Sequence, residues 1–362
     1  MSLLRPSISV VYLARAAEGI EAIERFRQSY TNHPAGIPHD LVVCLKGDDE
    51  SEIARAKEVL TPIATRFVAQ SDEGFDIHAY LRTAQTVDTE WISCLNTFSV
   101  INKPLWLERL YRAASRPGVG LVGATASYES RHSTIGAWIW YLGKVLDGDV
   151  LQSSTHDQFA DIIRALENGY RIPGVARVGR RLKLWALFEE PYRRRHLRLW
   201  RQRMSVHPDY EGAPMFPAFP NPHVRSNGFL VRTKFLTSRF PELGLSKMDC
   251  LKFESGLEGL SASIVKDGAS LLLVGEKGEY PVDDWPQSKT FRSGDQEDLL
   301  IRDNQTDIFS SLPPINRELL RYFTWGDAAA DPEQYEIPPL RCFKNIESVL
   351  LQTPAANQGA LS

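Results

Sequence analysis

Over the first 125 residues, short apolar runs alternate with segments in which apolar residues recur every three or four positions. The apolar runs, rich in Val, Ile and Leu, predict strands at Ile8–Leu13, Asp40–Leu45, Arg66–Ala69, Trp91–Leu95 and Val119–Gly123. The periodic segments predict helices at Glu18–Tyr30, Ser51–Leu60, Ile77–Val87 and Pro104–Ala114. Strands that alternate with helices at this spacing are typical of an α/β fold with a doubly wound, mostly parallel sheet.

The alternation stops near residue 127 and returns after residue 216. In between, the pattern is helical and includes an amphipathic helix at Asp157–Asn168. Strand patterns resume at Gly228–Arg232 and Ser270–Gly275. We therefore divide the chain into an α/β half at 1–126, a helical insertion at 127–216, a second half of the same domain at 217–312, and a helical or extended C-terminal tail at 313–362.

Composition narrows the class of protein. The chain has 362 residues, of which 43% are hydrophobic and 24% charged, and a formal net charge of −3, as in ordinary globular proteins. Its four cysteines lie far apart without a CxxC pair, which argues against a disulfide scaffold or a zinc module. The longest strongly apolar stretch, Ile135–Gly143, is much shorter than the roughly 20 residues of a membrane span. We therefore expect a cytoplasmic protein.

One part of the insertion, Arg177–Arg203, is strongly basic. It holds ten Lys and Arg residues against two Glu, a net charge of +8, which leaves −11 for the rest of the chain. Interleaved Trp and Leu residues make it a basic amphipathic helical region, a pattern that suits an anionic surface at the inner face of a membrane. A solvated helical subdomain is the open alternative. Nucleic acid is not expected as a partner, because the stacking aromatics of a nucleic-acid-binding sheet are not evident.

Polar residues follow the predicted strands where a parallel sheet binds its ligands. Arg15, Asp48, Asp72 and Asn96 each come just after a strand. Ligands of doubly wound sheets bind beyond the carboxyl ends of the strands, so we expect these four side chains around one crevice. The motifs of serine hydrolases, P-loop proteins, zinc proteases and dinucleotide-binding folds are absent from the sequence.

The order of three stretches resembles a known family. They read WISCLNTFSVINKPLWLERL at 91–110, NGFLVRTKFL at 227–236 and FESGLEGLSASIVKDGASLLLVG at 253–275. In pattern and order, residues 7–125 and 220–275 resemble the GT-A glycosyltransferases, particularly the large inverting family-two group. The resemblance implies a nucleotide-sugar-binding half at 1–126 and an acceptor and catalytic half at 217–312. It also implies a hexosyltransferase that moves a sugar from a nucleotide-diphosphate donor to a saccharide or lipid-linked acceptor, as in cell-surface polysaccharide synthesis.

The sequence departs from this family at the metal motif. The family places a DxD at the end of the fourth strand, where this chain has Asn96-Thr97-Phe98. Uncharged amide and hydroxyl groups hold Mg²⁺ or Mn²⁺ poorly, so we assign no metal ligand here. A divalent Mn²⁺ or Mg²⁺ cofactor stays an open alternative. The stretch Asp147-Gly148-Asp149 lies in the insertion, and we interpret it as a turn.

The resemblance also implies catalytic residues. Glu254 occupies the position of the general base, which takes the proton of the acceptor hydroxyl. The second acid of the family's pair is Ser255 here, so Asp249 is the reserve candidate. A helix-terminal glutamate beside Gly256 is the structural alternative for Glu254.

Binding roles follow in the same way. The residues expected to bind the donor are Arg15, Asp48, Asp72, Asp76, Asn96, Arg292 and Gln296. The residues expected to bind the acceptor or the pyrophosphate are His223, Arg225 and Asn227. For Asp76, capping a helix is an equal alternative to binding the donor. Ser51 is the candidate N-cap of the helix at Ser51–Leu60. The polar cluster Asp303-Asn304-Gln305-Thr306 has no assigned role.

Two other functions stay open. A sugar-phosphate nucleotidyltransferase shares a nucleotide-binding α/β sheet, but its glycine-rich loop matches Ala14-Arg15-Ala16-Ala17-Glu18-Gly19 poorly. A non-catalytic scaffold that kept the fold without the DxD would bind no nucleotide-sugar. Calorimetry with nucleotide-sugars therefore separates these alternatives.

Overall fold

A computed structural model describes residues 7–147, 195, 198–199, 215–242, 244–326 and 339–343 of the chain. The chain forms two compact units. We call Met1–Tyr128 with Asn221–Leu312 the α/β unit, and Glu129–Pro220 with Pro313–Ser362 the helical unit. The α/β unit thus draws on segments from both sides of the insertion, and it contains the candidate site.

The α/β unit contains all the strands and helices predicted over the first 125 residues and the two strands predicted later, together with elements that were not predicted. Its strands are β1 (Ile8–Arg15), β2 (Asp40–Lys46), β3 (Arg66–Gln70), β4 (Trp91–Leu95), β5 (Val100–Ile101), β6 (Val119–Gly123), β7 (Ala126–Ser127), β8 (His223–Val224), β9 (Phe229–Arg232), β10 (Ser270–Val274), β11 (Glu279–Pro281) and β12 (Ile301–Arg302). Its helices are α1 (Ile20–Asn32), α2 (Glu50–Leu60), α3 (Asp76–Ala84), α4 (Trp106–Ala114), α6 (Thr233–Arg239), α7 (Lys247–Ser255), α8 (Leu260–Lys266) and α9 (Asn304–Ser311).

In the described part of the chain, eight strands form one sheet in the order β11-β10-β6-β9-β4-β1-β2-β3. β1 is parallel to β2 and β4, β2 is parallel to β3, and β6 is parallel to β10. The predicted α/β fold with a mostly parallel sheet is confirmed. β9 is antiparallel to β4 and β6, with Phe229 opposite Cys94. The start of β9 therefore lies at the edge where β4 ends.

The central strands are packed from both sides. β1 is buried along almost its whole length, as expected of a parallel strand covered on both faces. Tyr12 of β1 stacks on Phe26 of α1, with ring centres 3.5 Å apart, and belongs to the same apolar cluster as Trp106 of α4. Outside that cluster, Tyr80 of α3 packs edge-on against Phe229 at 6.4 Å. Helices packed on the sheet in this way hold the strand ends in place.

One helix begins differently from the sequence expectation. Asp49, not Ser51, caps α2, because Asp49 Oδ1 accepts from the backbone N–H groups of Ser51 at 2.8 Å and Glu52 at 3.0 Å. Both residue types cap helices well, so sequence alone does not choose between them. The carboxylate two residues earlier is the one that reaches the free N–H groups.

In the helical unit, the described elements are α5 (Arg131–Asp147), α10 (Pro314–Trp325) and a single turn at Leu340–Cys342. The predicted helix at Asp157–Asn168 and the residues Gly148-Asp149 lie outside the described residues. So does the basic segment Arg177–Arg203, apart from Arg195, Arg198 and Leu199. Within the described residues, no helix has the length and apolarity needed to cross a membrane. Membrane docking by the basic segment stays a prediction.

Candidate functional site

A cavity of about 670 Å³, here called the strand-end cavity, opens where β1, β2 and β4 end and β9 begins. This edge includes the topological switch point, because β2 lies on one side of β1 and β4 on the other. The charged residues that line the cavity are Arg15, Glu18, Lys46, Asp72, Asp76, Arg225, Lys247, Glu254 and Asp303. Together with Asn96 and Asn227, these include seven of the twelve residues singled out from the sequence.

An ion-pair network joins the ends of β1 and β2. Arg15 donates to both oxygens of Asp72, from Nε to Oδ1 at 2.7 Å and from Nη2 to Oδ2 at 2.8 Å. Lys46, only 1% exposed, donates to Asp72 Oδ1 at 3.1 Å and to Gly74 O at 3.0 Å. Because hydrogen bonds from Arg15 favour the charged carboxylate, the pKa of Asp72 falls from 3.8 to about 2. The carboxylate is thus held charged between two cations.

We expect Asp72→Asn to lower the free energy of unfolding at neutral pH by about 1–3 kcal/mol, because the buried Lys46 ammonium loses its counter-charge. In the wild type, the stabilisation from Asp72 is present above its unfolded pKa of 3.8 and is lost as the pH falls through its folded pKa of about 2. Urea denaturation across this pH window should show that dependence in the wild type and not in the variant. Asp88→Asn, at an exposed position, is the control and should change stability by no more than about 0.5 kcal/mol. Equal losses in the two variants would contradict the role of Asp72.

Hydrogen bonds within the protein fix the residues after β4. Asn96 Oδ1 accepts from the Phe98 N–H at 3.0 Å, and Thr97 Oγ1 donates to Leu13 O at 2.9 Å. Asn227, just before β9, accepts through Oδ1 from the Asn96 N–H at 2.9 Å and from the hydroxyl of Ser99 at 2.8 Å. These bonds tie the end of β4 to β1 and to the start of β9.

The segment after β4 does not fit a divalent cation. The side-chain oxygens of Asn96 and Thr97 are uncharged and already bonded to backbone groups, whereas Mg²⁺ and Mn²⁺ favour carboxylate and water oxygens. Among the residues that the structure describes, no group of three or more carboxylate, histidine or cysteine side chains is arranged to hold a metal ion.

One face of α7 lines the cavity with Lys247, Leu251 and Glu254, which are four and then three residues apart. Glu254 accepts a hydrogen bond through Oε2 from Ser226 Oγ at 3.0 Å, and no described residue donates to its Oε1. Burial raises the pKa of Asp76 above its usual value, the Lys247 ammonium opposes the rise, and the Glu254 carboxylate adds to it. Asp76, Lys247 and Glu254 therefore interact electrostatically at one side of the cavity.

Arg225, in the turn between β8 and β9, is held by three contacts. Its backbone N–H donates to Thr125 O at 3.1 Å, and its Nη1 donates to Asp303 Oδ2 at 3.2 Å. The guanidinium carbon lies 4.2 Å from the centre of the Phe291 ring. Although the Arg225 side chain is only 16% exposed, it lines the cavity, so its charge is both fixed and accessible to a ligand.

Three of the residues that the sequence predicted for the site do not line the cavity. Asp48 is exposed and accepts from a backbone N–H in the loop after β3. His223 is buried in β8, with Nδ1 2.8 Å from Asn221 O. Asp249 forms the capping box of α7 with Ser246, and the hydrogen bond from the Ser246 hydroxyl lowers its pKa. Functional roles for these residues stay predictions.

Arg292 and Gln296 also lie behind the lining residues. Arg292 Nη2 donates to Gln305 Oε1 at 3.1 Å, and Gln305 itself lines the cavity. Gln296 is buried and donates to Thr306 O at 2.9 Å, so it ties the loop before β12 to α9. Direct contact of either residue with a donor stays a prediction.

Several residues that line the cavity were not assigned a role from the sequence, among them Lys46, Phe75, Lys247 and Asp303. Lys46 ends β2 directly after five apolar residues, and that position at the carboxyl end of a strand could have indicated a role at the site. Lys247 lies 5.3 Å from the ring centre of Phe75, which is 42% exposed at the cavity. Asp303 belongs to the polar cluster for which the sequence suggested no role. In the cavity, Asp303 accepts a hydrogen bond from Arg225, which lies 78 residues away in the chain.

Comparisons with known proteins find weak structural likenesses. No protein-family model and no curated protein sequence matches the chain. A mannosyltransferase from Pyrobaculum calidifontis, solved with GDP-Man and Mn²⁺, matches with a TM-score of 0.29 and 16% identity over 34% of this chain and 36% of that one. GalNAc-T7, solved with UDP, GalNAc and Mn²⁺, matches with a TM-score of 0.28 and 15% identity over 34% of this chain and 23% of that one. Likenesses of this size carry no argument about function.

Proposed function

We propose that this protein is a glycosyltransferase with a GT-A-like nucleotide-binding unit, a hexosyltransferase that inverts the transferred sugar. One observation carries the proposal: the strand-end cavity holds the Glu254 carboxylate together with the guanidinium of Arg225 and the ammonium of Lys247. Transfer of a sugar from a nucleoside diphosphate requires a base that removes the proton of the acceptor hydroxyl. It also requires cations that stabilise the negative charge of the departing diphosphate. These groups come together at the edge where doubly wound sheets bind ligands.

Glu254 acts as the general base in the proposed reaction. Its carboxylate takes the proton of the acceptor hydroxyl as that oxygen attacks the anomeric carbon. The new C–O bond forms on one face of the sugar, and the bond to the β-phosphate oxygen breaks on the other with its electron pair going to the diphosphate. Ser226, 3.0 Å from Oε2, orients the carboxylate and leaves Oε1 for the acceptor. One such displacement inverts the anomeric carbon.

The cations of the cavity stabilise the leaving group. Negative charge grows on the diphosphate as the bond breaks, and fixed cations nearby lower the energy of that transition state. Arg225 and Lys247 supply this charge in the proposal. Arg15, Asp72 and Asp76 bind the base and ribose of the donor near the ends of β1 and β3.

The acceptor in this proposal is a saccharide or a lipid-linked saccharide, in the synthesis of a cell-surface polysaccharide. A lipid-linked acceptor would require the enzyme to reach a membrane surface. The ten basic residues of Arg177–Arg203 would attract it to anionic lipid at the inner face of the membrane.

Isothermal titration calorimetry with UDP-, GDP- and dTDP-sugars tests the proposed function. We expect one of these donors to bind with a dissociation constant of about 1 μM to 1 mM, the usual range for enzyme substrates. Release of nucleoside diphosphate from that donor then gives an activity assay. Absence of binding to all three, with and without Mn²⁺, would favour the non-catalytic scaffold. Donor cleavage that requires pyrophosphate would favour the nucleotidyltransferase.

We expect this activity to survive EDTA with little loss, because Asn96 and Thr97 offer no charged ligand at the end of β4. The measurement is release of nucleoside diphosphate before and after chelation and dialysis. Calcium-loaded EDTA at the same concentration controls for ionic strength. Complete loss that Mn²⁺ restores would show that carboxylates elsewhere, such as Asp303 or Asp147 and Asp149, bind a metal.

A further inference from the structure

A buried carboxylate in the cavity wall, Asp303, takes no direct part in the proposed reaction. It is 1% exposed, and its two oxygens have different partners. Oδ1 accepts from the Thr306 N–H at 3.0 Å and so caps α9. Oδ2 accepts from Arg225 Nη1 at 3.2 Å and lies 3.5 Å from Asn227 Nδ2. A cap needs only one oxygen, which an asparagine or serine also supplies, so the charged second oxygen serves Arg225 rather than the helix.

The pair with Asp303 orders Arg225 before a ligand arrives. A free arginine side chain has many rotamers, and fixing them on a ligand costs affinity. Here the ion pair, the Phe291 ring and the backbone bond to Thr125 already hold it. Within the described residues, only one of the five guanidinium N–H donors of Arg225 has a partner, so the others can bind a group in the cavity.

Ser226 connects this fixed charge to the proposed base. It follows Arg225 directly in the chain, and its hydroxyl donates to Glu254. A donor whose anomeric carbon lies near Glu254 carries its β-phosphate on the opposite face of that carbon, within the cavity that Arg225 also lines. We propose that Asp303 is a positioning residue, which holds Arg225 against the sugar-linked phosphate of the donor. The inference rests on the proposed function.

Asp303→Asn tests this inference, because asparagine keeps the helix cap and removes only the charge that faces Arg225. The matched control is Asp307→Asn, in which the lost carboxylate belongs to the same helix but pairs with Arg302, each side chain being 46% exposed. Calorimetry on each protein gives the ratio of affinities for UDP over UMP, GDP over GMP and dTDP over dTMP. This ratio isolates the contribution of the second phosphate, which a purely structural role for Asp303 would not change.

We expect Asp303→Asn to lower the ratio by about 2- to 10-fold, the cost of ordering one long side chain on the ligand. Asp307→Asn should leave it unchanged. Arg225→Gln should lower it by about 10- to 100-fold, the range for losing a charged hydrogen bond. The double variant should lose no more than Arg225→Gln alone, because Asp303 acts through Arg225. Thermal unfolding of each variant confirms that the proteins compared are folded.

The outcomes separate the two proposals. An unchanged ratio in Asp303→Asn, or a further loss in the double variant, overturns the role of Asp303 alone. A higher ratio also overturns it, since repulsion between the carboxylate and the phosphate would then outweigh the ordering of Arg225. Wild-type protein that binds none of the six nucleotides overturns the proposed function, and the positioning role with it.

Discussion

Glu254→Gln should lower the release of nucleoside diphosphate by about 10²- to 10⁴-fold, the range for losing a general base. Glutamine has nearly the same shape and still accepts the hydrogen bond from Ser226, so donor affinity should change little. Steady-state kinetics with the donor found by calorimetry measures turnover. Calorimetry on the variant measures donor affinity.

Two other carboxylates near the same helix serve as controls for this result. Glu258→Gln removes an exposed carboxylate shortly after α7 and should leave turnover unchanged. Asp249→Asn weakens the capping box of α7 and should cost about 1 kcal/mol of stability with little effect on turnover. Near wild-type turnover in Glu254→Gln would reject Glu254 as the base, and a large loss in Asp249→Asn would then favour Asp249.

Arg225→Gln should lower turnover by about 10²- to 10³-fold, the usual effect of removing one fixed group that stabilises transition-state charge. The loss should exceed the effect on donor binding, because the charge on the leaving diphosphate grows as the bond breaks. The same substitution leaves the buried Asp303 without its cation, so we also expect a loss of stability of about 3–5 kcal/mol. Turnover is therefore measured at a temperature where unfolding curves show the variant to be folded.

Arg225→Lys separates charge from geometry in this prediction. Lysine keeps a cation beside Asp303 and should recover most of the stability, but it lacks the planar fork of N–H donors and should recover turnover only in part. Arg302→Gln is the control and should leave turnover unchanged. Arg302 pairs with Asp307 of α9, the helix that Asp303 caps, but both side chains of that pair are 46% exposed. Equal turnover in Arg225→Gln and wild type would remove Arg225 from the reaction.

The strands of the sheet could be predicted because their signal is local. β1, β2 and β4 are short apolar runs bounded by polar residues, and the helices between them repeat at regular intervals. The same reasoning placed Arg15, Asp72 and Asn96 around one crevice, and all three line the strand-end cavity. It also placed Asp48 there, whereas the structure leaves Asp48 exposed outside the lining. A residue one or two positions beyond a strand can point either way, and the turn decides which.

The direction of β9 was not predictable in this way. Its apolar run indicates a strand, but a run of four residues has no mark of parallel or antiparallel pairing. In the structure, β9 lies between β4 and β6 and is antiparallel to both. This pairing brings Asn227 to the end of β4, where it accepts from the Asn96 N–H.

The sequence by itself determined the α/β class and the edge of the sheet where polar side chains collect. These depend on hydrophobic periodicity and on the rule that parallel strands end at one edge. Only the tertiary structure decided which charges meet there. Arg225 with Asp303 and Ser226 with Glu254 are partners from separate segments, 78 and 28 residues apart, and Lys46 is buried against Asp72 from the neighbouring strand end. The sequence around a charged residue is the same whether its side chain faces water or a buried partner. The role of that side chain at the site is therefore set by tertiary packing.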